Sequence, residues 1–131
     1  MIIYETSRNQ MSHNIRYVYK NESGITFFWS EPKSYLYDKV QLIFRDIGFY
    51  LSIQEIKDFY NCIQEARSNT STNGCSNCNG NKECRSILLQ TPAKQVDLAV
   101  SFSELSGIED LIKGTLFQIE LQHYVINLSA N

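Results

Sequence analysis

Polar and apolar positions alternate along this chain in two matched blocks, and each block ends in a helical period. Residues 47–63, IGFYLSIQEIKDFYNCI, align without a gap with residues 96–112, VDLAVSFSELSGIEDLI, at a constant offset of 49 positions. Ser52, Glu55 and Ile63 recur as Ser101, Glu104 and Ile112. Ile47, Phe49, Leu51, Ile56 and Phe59 recur as Val96, Leu98, Val100, Leu105 and Ile108. The pattern predicts an α+β fold. It reads as an antiparallel sheet of about six strands with two helices on one face. An N-terminal hairpin and two strand–strand–helix repeats, related by a pseudo-two-fold axis, would build it.

Each predicted helix opens on a capping box, Ser52 with Glu55 and Ser101 with Glu104. In such a box the serine hydroxyl accepts from the backbone N–H three residues on. The glutamate carboxylate reaches back to the serine N–H. Each box is flanked by a hydrophobic staple, Leu51 with Ile56 and Val100 with Leu105. The strands before each box alternate with period 2, as half-buried strands do. A two-residue turn at Arg45-Asp46 sets Phe44 opposite Ile47, Leu42 opposite Phe49 and Val40 opposite Leu51. A four-residue turn at Pro92–Gln95 sets Leu89 opposite Leu98 and Ile87 opposite Val100. A one-residue slip would turn these side chains to water, so the register is specified. The turn type is not, because Arg-Asp lacks the Asn-Gly or Asp-Gly signature of tight hairpins.

Upstream, Ile15–Lys20 and Ile25–Trp29 read as an N-terminal hairpin around the turn residues Asn21-Glu22-Ser23-Gly24. Residues 2–4 read as a short strand. One domain over residues 1–131 then divides into four parts. These are the hairpin and its following loop (14–39), the first repeat (40–67), a Cys/Asn/Ser-rich loop (68–84) and a second repeat with a long C-terminal helix (85–128). The first helix is expected from Ser52 to about Arg67, with Ile53, Ile56, Phe59, Ile63 and Ala66 on its apolar face.

The second helix meets no Pro stop and is expected to run from Ser101 to about Leu128, or roughly 42 Å. A domain of this length is about 36 Å across, so the helix is expected to overhang. Leu105, Ile108, Ile112, Leu116, Ile119 and Ile126 form one stripe along its length. Phe117, Leu121, Tyr124 and Leu128 form a second stripe on the opposite side, in the second half alone. A helix apolar on two sides is buried on two sides. Either the N-terminal hairpin or the first helix covers the second stripe, or a partner does, most simply the same helix of a second copy in a two-fold dimer. Gly114 is the point at which the helix could bend.

Composition narrows the class. The chain has 131 residues, 43% hydrophobic and 20% charged, which suits a single globular core. Its net charge is −2, and its twelve Lys and Arg are scattered, so no phosphate-tracking surface and no nucleic acid partner is expected. The strand aromatics Tyr17, Tyr19, Phe27, Phe28, Trp29, Phe49 and Tyr50 are read as core and cross-strand packing. No apolar run approaches the length of a membrane span and no secretory signal is visible, so a cytoplasmic protein with reduced thiols is the expectation.

Four cysteines carry the candidate chemistry. Cys75-Ser-Asn-Cys78-Asn-Gly resembles a zinc knuckle, in which two thiolates turn toward one metal. Cys84 would be a third ligand, and Cys62, His13 or His123 a fourth. The favoured reading is free thiols in a loop. A zinc site at Cys75, Cys78, Cys84 and Cys62, and a redox or disulfide pair within Cys75, Cys78 and Cys84, are the alternatives. Cys62 lies at the edge of the first helix's apolar face and reads as a small hydrophobe. No catalytic residue and no other cofactor is indicated. There is no G-x-S-x-G, phosphate-binding glycine loop or H-E-x-x-H, and capping accounts for Glu55 and Glu104.

The stretches KVQLIFRDIGFYLSIQEIKDF (39–59) and ELSGIEDLIKGTLFQIEL (104–121) resemble a small uncharacterised domain family of Bacteroidetes bacteria, over about the last two-thirds of the chain. Some members of that family carry a C-x-x-C just before the first strand of this unit. Here Tyr35–Asp38 take that place with no cysteine, so a metal role there does not carry over. The resemblance implies a fold unit and a bacterial source, and no activity.

These readings lead to a non-enzymatic module that self-associates as a homodimer through Phe117, Leu121, Tyr124 and Leu128. The alternative is a zinc-binding or thiol-redox module using the Cys75-x-x-Cys78 loop. A small-molecule enzyme with its site between the repeats is a third reading that no motif supports.

Overall fold

The computed structural model describes residues 15–29, 39–72 and 83–130. Six strands and two helices follow in order: β1 (Ile15–Lys20), β2 (Gly24–Trp29), β3 (Lys39–Phe44), β4 (Ile47–Ser52), α1 (Ile53–Thr72), β5 (Ile87–Gln90), β6 (Asp97–Val100) and α2 (Phe102–Ala130). The strands do not form the single six-stranded sheet that the pattern suggested. β1 to β4 make a four-stranded antiparallel meander, and β5 and β6 pair only with each other. Period-2 alternation fixes which residues of a hairpin face inward. It says nothing of which hairpin edges hydrogen-bond to one another.

Within the β3–β4 and β5–β6 hairpins the expected register holds. Val40 faces Leu51, Leu42 faces Phe49 and Phe44 faces Ile47. Ile87 faces Val100 and Leu89 faces Leu98. The inner residues of β3, β4, β5 and β6 join Val18, Phe28 and the inner stripes of both helices in one core. Val40, Leu42, Phe44, Leu89, Val100, Ile56, Phe59, Ile63, Leu105, Ile108, Leu111 and Ile112 are fully buried there. The outward-facing aromatics divide. Phe27 is buried edge-on to Trp29, whose indole N–H donates to Gln41. Tyr17, Tyr50 and Leu88 are exposed, so the packing expected for these two tyrosines is not complete.

Arg45 has φ of 55°, a left-handed conformation that costs a non-glycine residue roughly 1–2 kcal/mol. Its guanidinium lies over the Phe44 ring and donates to the Ala99 carbonyl and to Glu104. The tight turn therefore needs no glycine, because the side chain is tied to the second hairpin and to α2.

Both helices start as their boxes dictate. The Ser52 N–H donates to Glu55 at 2.8 Å and the Glu55 N–H to the Ser52 hydroxyl at 3.1 Å. The Ser101 and Glu104 pair matches it at 2.9 and 3.0 Å. α1 runs on to Thr72, past the expected end near Arg67. Its apolar period stops at Ala66 because the core stops there, while the helical backbone continues.

Candidate interaction surface

α2 organises the molecule. At its N-terminal end Glu104 takes two guanidinium groups besides capping the helix. Arg85 donates to both carboxylate oxygens from Nε and, at 2.8 Å, from Nη2. Arg45 approaches at 3.3 Å. Burial opposes ionisation of Glu104. The hydrogen bond from Arg85, the Ser101 N–H and the charge of Arg45 outweigh it and hold the carboxyl below its ordinary range. One turn on, Glu109 ties α2 to α1. Arg67 donates to it at 2.5 Å and Gln64 at 2.8 Å. Its carboxyl is likewise held low, with burial outweighed by the Gln64 hydrogen bond and the Arg67 charge.

The first hairpin docks along a different side of α2. Asn21 accepts from the Ser23 and Gly24 N–H groups, which closes the turn, and donates to the Gly107 carbonyl and to Asp110, both at 2.8 Å. Gly107 and Gly114 leave this face without side chains. A Cβ at Gly107 would run into Ser23, and one at Gly114 into the ring of Tyr19. Deeper in, Thr26 and Thr115, both fully buried, share a 2.7 Å hydrogen bond. The Thr115 hydroxyl also reaches the Leu111 carbonyl at 2.7 Å and the Thr26 hydroxyl the Tyr19 carbonyl at 3.3 Å, so either hydroxyl can donate between them. The sequence reading missed this pair. The two threonines interrupt apolar strand and helix faces, and that interruption was the only available signal.

α2 stays helical through Gly114, where the glycine accommodates the Tyr19 ring. Ile119 is the last buried side chain among those described on α2. From Glu120 to Ala130 the helix projects as an arm of about 16 Å. Phe117 is 60% exposed, Leu121 42%, Tyr124 62% and Leu128 58%. No described element covers this stripe: the first hairpin touches the same side of α2 upstream, at Asp110 and Gly114, and α1 packs on another side. Ile126 and Val125 are exposed too. The expected core stripe therefore ends at Ile119, and Ile126 continues it beyond the domain. From Leu121 to Ala130 the arm carries no Asp, Glu, Lys or Arg.

The cysteine readings meet the structure in part. Cys62 is a free thiol, half-buried and packed against the core. Burial raises its pKa, and Glu65 and Asp58 raise it further, so its thiolate is disfavoured. Cys84 is disulfide-bonded, and a sulfur so bonded is not a thiolate ligand. Cys75, Cys78 and His13 lie outside the described residues. Among the described residues no group of three or more His, Cys, Asp or Glu side chains is placed to hold a metal. His123 is exposed on the arm. No helix among them is long and apolar enough to cross a membrane.

Comparison with protein-family models, with curated proteins and with solved structures gives no match. The surface is therefore read from its own geometry.

Proposed function

We propose that this protein is a non-enzymatic interaction module that self-associates through the arm of α2. The observation that carries the reading is the arm itself, a projecting helix with five large apolar side chains open to water, Phe117 just before them, and no charge after Glu120. Scattered apolar residues on a surface are ordinary. A contiguous patch of several hundred Å² marks an interface. The test is sedimentation velocity at tens of micromolar. The wild type sediments as a dimer, and Leu121→Glu with Tyr124→Glu gives a folded monomer. A wild type already monomeric at that concentration would overturn the reading.

The two strand–strand–helix segments are part of the same proposal as an internal duplication. Matched positions at a constant offset and a capping box closed in each segment support it.

A thiol-redox role of the Cys75-x-x-Cys78 loop is the second reading. The disulfide at Cys84 favours it over zinc binding. Four thiols all reactive in the native protein, with no metal by elemental analysis, would remove both thiol and zinc readings.

A further inference from the structure

We infer that two copies pair their α2 arms antiparallel about a two-fold axis centred between Leu121 and Tyr124. This inference rests on the self-association proposed above and fixes its geometry. Phe117, Leu121, Tyr124 and Leu128 follow one another at four, three and four residues, so they line one face. That face lies opposite the buried stripe of Ile108, Ile112 and Ile119, and it continues past Gly114 the side of α2 that Tyr19 and Asn21 touch. Val125 flanks it and widens the apolar surface, whereas Ile126 is exposed on the opposite side, in line with Ile119.

A second copy suits this face better than an unrelated partner because the face is self-complementary. It is apolar at its centre, with the exposed Glu120 at one edge and the uncharged Gln118 at the other. The four stripe positions themselves carry no charge. The four stripe residues and Val125 expose on the order of 500 Å² per copy, taking large side chains of about 150–250 Å² that are roughly half open. Two copies then bury about 1,000 Å² in all, the lower edge of a specific interface. The dimer is accordingly weak and dependent on concentration.

Charge selects the antiparallel arrangement. Upstream of Phe117 the same face carries Lys113, Asp110 and Ser106, all exposed. Parallel pairing would carry the two helices on side by side through this region. Lys113 would then meet Lys113, and Asp110 would meet Asp110, and like charges opposed at an interface are repulsive. Antiparallel pairing about the Leu121 to Tyr124 centre brings Phe117 of one copy beside Leu128 of the other. Lys113 and Asp110 then fall outside the contact, Lys113 in water and Asp110 on its own Tyr19 and Asn21. An isologous contact of this kind closes on itself at two copies.

The experiment uses the full chain with Phe117 replaced by photoreactive benzoylphenylalanine, mixed with isotope-labelled wild-type protein. Links between copies are mapped by mass spectrometry beside sedimentation velocity of the same mixture. The expected result is a dimer in which position 117 is linked to the labelled copy around Leu128. A dimer linked around Phe117 overturns the antiparallel arrangement and leaves self-association through the arm standing. A monomer at tens of micromolar, or a dimer that survives Leu121→Glu with Tyr124→Glu, overturns both.

Discussion

The phenol end of the Tyr19 ring occupies the space that a side chain at Gly114 would fill, and its hydroxyl donates to Asp110 one turn earlier at 3.0 Å. A single glycine in the middle of a 29-residue helix thereby serves packing. Alanine there would improve helix propensity by about 1 kcal/mol, and its methyl would displace the ring. In a Tyr19→Ala background, Gly114→Ala is expected to stabilise by about 1 kcal/mol. In the wild type that gain is cancelled or reversed by overpacking of about 1–3 kcal/mol. Urea unfolding of the four proteins in a double-mutant cycle measures the coupling. Equal effects in both backgrounds would mean that ring and glycine do not compete for space.

The buried threonine pair gives a second cycle. Thr26→Val is expected to cost about 1 kcal/mol, the net worth of one buried hydrogen bond. Thr115→Val should cost a similar amount, and the double variant clearly less than both together, since neither hydroxyl is then left facing an apolar group. Additive losses would show that the two side chains act independently.

Acid should weaken the clamp at the start of α2. Glu104 and Glu109 both have folded-state pKa values below the ordinary 4.5. A depressed carboxylate contributes stability that is present above its unfolded value and lost as pH falls through its folded value. Stability should therefore hold down to about pH 4.5 and decline below it. Glu104→Gln can still cap Ser101, because glutamine serves in a capping box, yet it cannot pair with Arg45 and Arg85. Its expected cost near neutrality is about 1 kcal/mol, since Arg85 is 57% exposed and water screens the pair. Its acid decline should be shallower. Thermal unfolding of both proteins from pH 3 to pH 7, at one protein concentration, checks this. Parallel curves would place the acid sensitivity elsewhere.

The end of the domain along α2 is open to direct test. Ile119→Ala removes a buried side chain and should cost about 2–5 kcal/mol. Ile126→Ala, seven residues on and on the same side of the helix, should change monomer stability by less than about 0.5 kcal/mol, because 60% of it is already in water. Denaturant unfolding of Leu121→Glu/Tyr124→Glu protein, the expected monomer, gives both numbers free of association. A large loss at Ile126 would mean that the arm packs on its own domain.

Local rules in the chain determined the hairpins, their registers, both capping boxes and the existence of a helix too long for its domain. Each depends on residues close in sequence: period-2 alternation around a turn, a serine and a glutamate three apart, an apolar stripe at helical spacing. Tertiary structure decided what these rules do not encode. It divided the strands into sheets of four and two, because an apolar face does not name the edge it will pair with. It allowed a left-handed Arg45 at a turn, because a carboxylate and a carbonyl from another hairpin hold the guanidinium. It assigned Gly114 to the Tyr19 ring, a contact across 95 positions. It also ended the core at Ile119 and left Ile126 outside. The two isoleucines share a helix face and a hydropathy, and only the extent of the packed domain beneath them distinguishes one from the other.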